Sequence, residues 1–151
     1  MKIKNVLICG IGAIGSIYAV KLLENNICNL KILVDTARLE RYKQNGLDFN
    51  EKRYDFDYIL PQNDENFKAD LIIIAVKSNG LKWVIKNIKN FLKKETIIMS
   101  LLNGITSEDE ILEEYNNAKV LYSYFVGHTS TRLDSKISFD GIGNIIFGTL
   151  N

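Results

Sequence analysis

At 151 residues the chain is one ordinary domain in length, enough to bury a real core. Nineteen basic residues stand against 18 acidic ones, and the net charge of +1 gives no electrostatic reason to expect nucleic acid or an anionic membrane surface as a partner. Two cysteines, Cys9 and Cys28, show no metal-ligand spacing, so no metal site is expected and free thiols in a reducing compartment, the cytoplasm, fit best. Lys2 and Lys4 ahead of an apolar stretch to Val20 imitate a secretory leader, but glycines interrupt the stretch and no small-x-small cleavage site follows. No other stretch is long and apolar enough to cross a bilayer.

Val6-Leu7-Ile8-Cys9 reads as a buried strand. It runs into Gly10-Ile11-Gly12-Ala13-Ile14-Gly15, and a helical pattern follows with Ile14, Ile17, Tyr18 and Leu22 on one face. Leu30 to Val34 is the second strand, and Asp35 ends it, twenty residues after the third glycine. Strand, G-x-G-x-x-G, helix and a later acidic residue form the dinucleotide-binding fingerprint. The first glycine permits the tight turn, the second lets backbone approach a pyrophosphate, and the third lets helix and strand pack closely. Free N–H groups at the helix start then face the phosphates.

Thr36 to Asn45 reads as a helix stopped by Gly46. Residues 47–60 alternate apolar and polar around Asn50-Glu51-Lys52-Arg53 and predict a β-hairpin excursion closed by Pro61. Leu71 to Val76 is a continuous apolar run, as a central parallel strand requires. A helix is expected over 79–92, a strand over Thr96 to Ser100, and a helix opened by the capping box Ser107-x-x-Glu110. Val120 to Val126, Lys136 to Phe139 and Asn144 to Phe147 complete the strands. Alternating strands and helices predict an α/β, Rossmann-like doubly wound and mostly parallel sheet, with Val6–Cys9 at its centre beside Leu71–Val76.

Three further segments sit at carboxyl ends of predicted strands, where open α/β sheets bind ligands. Lys77 follows the most apolar strand and could meet a phosphate, a ribose hydroxyl or a substrate carboxylate; a solvated loop lysine is the alternative. Asn103-Gly104 offers an amide donor and acceptor, or simply a turn. His128, the single histidine, could be an acid or base or a structural residue. Trp83, Tyr122, Tyr124 and Phe125 read as core aromatics.

Taken together these segments resemble the N-terminal domain of the ketopantoate reductase (2-dehydropantoate 2-reductase) family over essentially the whole chain. The resemblance rests on the glycine run, on Asp35-Thr36-Ala37-Arg38-Leu39-Glu40-Arg41-Tyr42 with Asn45-Gly46, on Ile74-Ala75-Val76-Lys77, on Ser100-Leu101-Leu102-Asn103-Gly104-Ile105 and on Ile146-Phe147-Gly148. It implies reduction of 2-dehydropantoate, a small 2-oxo acid, to pantoate by NADPH, toward coenzyme A. It implies that Gly10, Gly12 and Gly15 hold the pyrophosphate within a cofactor-binding loop that includes Ile11, Ala13 and Ile14, that Lys77 contacts cofactor or substrate, and that Asn103 sits by the nicotinamide and orients the substrate. Family members run to about twice this length, and a second, helical domain supplies their general-acid lysine. On that basis residues 1–151 are the dinucleotide-binding domain, inactive alone. The surface that would receive the second domain would be an apolar patch near Ile142 to Phe147, able to self-associate.

Cofactor choice draws on opposed residues. Asp35 suits a ribose 2′-OH and argues for NAD(H), whereas Arg38 and Arg41 could pair with a 2′-phosphate. The resemblance leans to NADP(H), with NAD(H) the alternative. Two rival readings are a stand-alone nucleotide-binding or sensor module without turnover, and an NAD-preferring 2-hydroxyacid dehydrogenase of the same superfamily.

Overall fold

A strand buried on both faces, β1 (Asn5–Cys9), organises the larger of two sheets. The structure is a computed structural model that describes residues 2–62, 66–104, 106–127, 130–141 and 143–149. On one side of β1 lie β2 (Asn29–Leu33) and the short edge strand β5 (Tyr58–Ile59). On the other lie β6 (Leu71–Ile74), β7 (Ile97–Ser100), β8 (Lys119–Val126) and β11 (Asn144–Gly148). All neighbours pair in parallel except β11, which runs antiparallel to β8.

The apolar runs of β1 and β6 follow from coverage of both sheet faces. Successive side chains alternate between faces. Val6 and Ile8, with Ile32 and Ile73, join a core against α1 (Ala13–Asn25) and α2 (Thr36–Asn45). Leu7 and Cys9, with Ile72, Ile74 and Ile98, join a second core against α3 (Ser78–Asn87), a 3-10 turn at Lys89–Phe91 and α4 (Ser107–Glu114). Cys9 and Cys28 are free thiols, and burial pushes the Cys9 pKa up, so it stays protonated.

A second, four-stranded sheet runs β4 (Lys52–Tyr54), β3 (Leu47–Phe49), β10 (Lys136–Phe139), β9 (Ser130–Leu133). It supplies Leu47, Phe49, Tyr54 and Ile137 to the core that holds Ile17 and Val20 of α1. Helix α1 is therefore covered on two sides. This explains why its buried set, Gly15, Ser16, Ile17, Ala19 and Val20, is wider than the single face its sequence suggests.

The parallel centre and the hairpin agree with the sequence expectation, with four differences. The excursion is shorter than 47–60: Asn50 and Glu51 both adopt left-handed backbone and turn Leu47–Phe49 onto Lys52–Tyr54, while Tyr58 and Ile59 return to pair with Ile32 and Leu33. The alternation through 54–58 reflects aromatic packing between sheets, Tyr54 on Phe56 at 6.4 Å and Phe56 on Tyr58 at 6.3 Å, rather than one strand. The helix expected over 79–92 ends at Asn87 and passes into the 3-10 turn. The capping box does not form: Thr106 precedes the helix, and the Ser107 hydroxyl is drawn inward to other partners. Finally, Tyr124 is exposed rather than core: α4 packs against β8, but Tyr124 and its β11 partner Ile146 are left exposed.

The amino-terminal edge of the sheet is pinned by one carboxylate. Asp70 Oδ2 accepts from the amides of Lys4 (2.7 Å) and Asn5 (2.8 Å), and Oδ1 pairs with the Lys93 ammonium. Lys93, followed by these backbone donors, holds the buried carboxyl down to about 2, against 3.8 for a free one. A depressed folded pKa contributes stability that is present above about pH 4 and lost as pH falls through 2. Allowing for solvent at the Lys93 end, the contribution is roughly 1–2 kcal/mol. Asp70→Asn keeps an oxygen for the two amides but turns an NH₂ toward Lys93. Urea unfolding should show that loss at pH 7 and only a small part of it at pH 2, where the native carboxyl is about half protonated.

Candidate dinucleotide site

Strand register lines up the sequence-predicted residues. Leu33, Cys9, Ile74 and Ser100 are successive partners across β2, β1, β6 and β7. The glycine loop leaves this row directly after Cys9, Asp35 lies two residues beyond Leu33, and Lys77 and Asn103 lie three beyond Ile74 and Ser100. All four segments therefore emerge at one carboxyl edge, spread over about 15 Å at the spacing of neighbouring strands. The chain leaves β1 toward β2 and later returns to β6 on its other side, so the β1–β6 junction is the switch point where such sheets open a crevice.

The three glycines meet different constraints there. Gly10 has φ +97°, and a Cβ on it would lie 2.8 Å from both the Ala75 carbonyl oxygen and Val76 Cγ1. A Cβ on Gly15 would run into the Gly10 carbonyl and come within 3.1 Å of Ala75 Cβ. A Cβ on Gly12 would meet nothing within 4 Å. Packing thus requires glycine at 10 and 15. At 12 the protein itself requires none, and the open space is a cradle that a side chain would fill. Gly12 is the residue before α1, and no side chain caps that end, so the first N–H groups of the helix are left for an incoming acceptor. Ala13 and Ile14 form the first turn, and Ile11 is buried beneath the loop.

Asp35 has a structural role that its position alone does not reveal. It caps α2, accepting from the Arg38 amide at 2.7 Å, and its second oxygen pairs with the Arg38 guanidinium. The two residues set against each other in choosing a cofactor are therefore partners. Lys77 is exposed and leads into α3 without a side-chain cap. Asn103 is exposed ahead of Gly104, whose φ of +123° makes the turn. His128 and Ile142 lie outside the described residues.

Beneath Asn103 is a buried polar chain that the sequence reading missed. Ser107 Oγ donates to Glu108 Oε2 at 2.8 Å, so the 2.9 Å contact between Ser107 and Ser100 hydroxyls has Ser100 as donor. Ser100 Oγ accepts from the Leu102 amide at 3.4 Å, and its carbonyl accepts from Ser123 Oγ at 2.6 Å. Each hydroxyl is satisfied, and the chain ties the Asn103 loop to β8 and α4. Only Ser107 carried a signal, and the capping-box pattern concealed it. Arg132 was also missed: its Nη1 donates to the Ile11 carbonyl at 2.7 Å. No local pattern marks a residue that reaches across 121 positions.

With this geometry in view, residues 6–151 match the family described as ketopantoate reductase PanE/ApbA. The chain belongs to that family. It is 28% identical over 143 residues to the 2-dehydropantoate 2-reductase of Streptococcus pyogenes, covering 91% of this chain and 46% of that protein. It is 28% identical over 117 residues to the uncharacterized oxidoreductase YkpB of Bacillus subtilis, covering 76% of this chain and 38% of that one. A candidate 2-dehydropantoate 2-reductase from Enterococcus faecalis superposes with a TM-score of 0.75 at 27% identity, over 95% of this chain and 48% of that one. D-mandelate dehydrogenase, solved with NADH and anilino(oxo)acetate, shares the fold with a TM-score of 0.76 at 22% identity, over 95% of this chain and 47% of that one. The chain spans less than half the length of these proteins. Among the described residues no helix is long and apolar enough to cross a membrane.

The three glycines should separate by stability. Gly15→Ala drives a Cβ into backbone and should cost about 1–3 kcal/mol or prevent folding. Gly12→Val should stay within about 1 kcal/mol of the parent, because the space is open. Thermal melts of the two variants, without added nucleotide, decide between packing and approach as the reason for each glycine.

Proposed function

We propose that residues 1–151 form the NADP(H)-binding domain of a ketopantoate-reductase-like oxidoreductase, which reduces 2-dehydropantoate to pantoate. The observation that carries this reading is the open cradle at Gly12, set at the β1–β6 switch point with Lys77 and Asn103 on adjoining strand ends. The family match supports it. In this reading Gly10 to Gly15 and the start of α1 hold the pyrophosphate, and Arg38 receives the 2′-phosphate. Lys77 meets a phosphate or ribose hydroxyl, and Asn103 holds the nicotinamide and the substrate carbonyl in register. The reduced nicotinamide, when bound, supplies the hydride. The chain's part is to fix its position and exclude water from its face.

Hydride arriving at a carbonyl carbon leaves negative charge on oxygen, which a proton donor or cation must meet. The relatives are about twice as long, and the resemblance assigns that donor to a lysine in their second, helical domain. We therefore assign cofactor binding, without turnover, to residues 1–151 alone. The same reasoning assigns the exposed Tyr124, Val126 and Ile146, which share one face of β8 and β11, with Phe147 exposed on the other, to the receiving edge for a second domain, or to self-association without one. An NAD-preferring 2-hydroxyacid dehydrogenase is the second reading. Asp35 favours it, and D-mandelate dehydrogenase with NADH shares the fold.

Titration of the chain with NADPH and NADH tests the proposal. Arg38→Ala should weaken NADPH about tenfold or more, as expected for a lost charge-assisted bond, and leave NADH nearly unchanged. Asp35→Asn keeps an oxygen to cap α2 but removes a charge that repels a 2′-phosphate, so it should tighten NADPH relative to NADH. If Asp35→Asn costs NADH most and Arg38→Ala spares both, NAD is the cofactor. Gly12→Val should abolish binding of either. Rapid NADPH oxidation with 2-dehydropantoate by this chain alone would refute the assignment of the proton donor to a second domain.

A further inference from the structure

We propose that Arg132 is a positioning residue of this site, holding the Ile11–Gly12 peptide so that the Gly12 N–H faces the bound pyrophosphate. The proposal rests on the reading of the glycine loop given above. Arg132 of β9 pairs with Ile137 of β10. Directly opposed residues of an antiparallel pair share a face, and Ile137 is buried in the same core as Ile11 and Ile17. The Arg132 side chain thus leaves the small sheet on the side that packs against α1. Its Nη1 donates to the Ile11 carbonyl at 2.7 Å, and its Nε donates to the Asp134 carbonyl at 2.9 Å. The second bond fastens the guanidinium to its own left-handed turn, where Asp134 has φ 53°.

A trans peptide is planar, and its C=O and N–H point in opposite directions. A donor seated on the Ile11 carbonyl therefore turns the Gly12 N–H away from Arg132 and fixes it there. The donor is a cation, so it also polarises the amide and strengthens that N–H as a donor. No carboxylate among the described residues forms an ion pair with Arg132, so its positive charge adds to the field that favours an anion beside the loop. The small sheet, which contributes no residue to the row of strand ends, acquires a functional reason through this one side chain.

The test uses the whole chain with Arg132→Ala and Arg132→Gln. NADPH affinity is measured by titration, and the Gly12 amide is followed by ¹H–¹⁵N spectroscopy. The free variants should melt within a few degrees of the parent. NADPH should bind Arg132→Ala about tenfold or more weakly, and Arg132→Gln, which keeps a neutral donor, should lie between. In the parent the Gly12 amide proton should move downfield on NADPH addition, and in Arg132→Ala it should not. A role limited to tying the sheet to the loop predicts a lower melting point with the Gly12 response intact. A folded Arg132→Ala that binds NADPH within twofold of the parent and keeps that response overturns the proposal. Should Arg132→Ala fail to fold, the same two readings on Arg132→Gln decide. A parent chain that binds neither NADPH nor NADH overturns the site reading itself, and this proposal with it.

Discussion

The missing side chain at Gly15 sets how near α1 can come to the end of the sheet. Any Cβ there would meet the Gly10 carbonyl, so the helix could not start where it does. The same closeness requires positive φ and no Cβ at Gly10, and a small residue at Ala75, directly after β6. A glycine inside a helix costs about 1 kcal/mol in propensity. A backbone collision costs more than that, so glycine is favoured by a wide margin. The consequence reaches past packing. Only a helix seated this low places its unpartnered N–H groups at the strand ends.

That seating leaves α1 with more surface to cover than one sheet can hide. The small sheet covers the remainder, and it is assembled from segments far apart in the chain. The hairpin Leu47–Tyr54 pairs in parallel with Lys136–Phe139 through Asp48 and Phe49. Asn50 reinforces the join, donating to and accepting from Phe139 backbone at 3.0 and 2.8 Å. Such non-local pairing is slow to form because chain entropy is lost before contacts compensate. Its persistence is explained by what it does for α1, whose residues Ile17 and Val20 lie buried between the two sheets.

Much of this was legible from local pattern. Continuous apolar runs marked β1 and β6 because a covered parallel sheet needs both faces apolar, and the glycine spacing marked the junction because Gly10 and Gly15 each meet a separate steric demand there. What was hidden depends on packing between elements. Tyr58 and Ile59 looked like the far arm of a hairpin, since their alternation is the same whether the pairing strand is Leu47–Phe49 or β2. Ser107 looked like a cap although its partners, Ser100 and Glu108, are near in sequence, because only the packing of α4 against the end of β7 turns its hydroxyl inward. Tyr124 looked like core because it sits mid-strand, and nothing local says that this end of β8 is left exposed. Arg132 carried no signal until β9 and β10 were seen to form an arm over the glycine loop.

The pairing of Asp35 with Arg38 changes how the cofactor question is posed. As a sequence, the two residues argue for different nucleotides. As a structure, they neutralise each other at the second strand end, and a nucleotide must compete with that arrangement. The pair is partly exposed, with side-chain exposures of 33% for Asp35 and 52% for Arg38, so opening it costs about 0–1 kcal/mol. A 2′-phosphate that draws the guanidinium away forms a charge-assisted bond worth about 1.5–3 kcal/mol, and Asp35 keeps its place on the Arg38 amide as the cap of α2. A ribose 2′-OH would donate to the same carboxylate, a bond that is also charge-assisted and worth about 1.5–3 kcal/mol, and would leave the guanidinium in place. Under the NADP(H) proposal, the gain at Arg38 must exceed both the repulsion from Asp35 and the cost of opening the pair. Under that proposal, an acidic residue at the second strand end does not by itself select NAD(H), because here its carboxylate is already committed to the α2 cap and to Arg38.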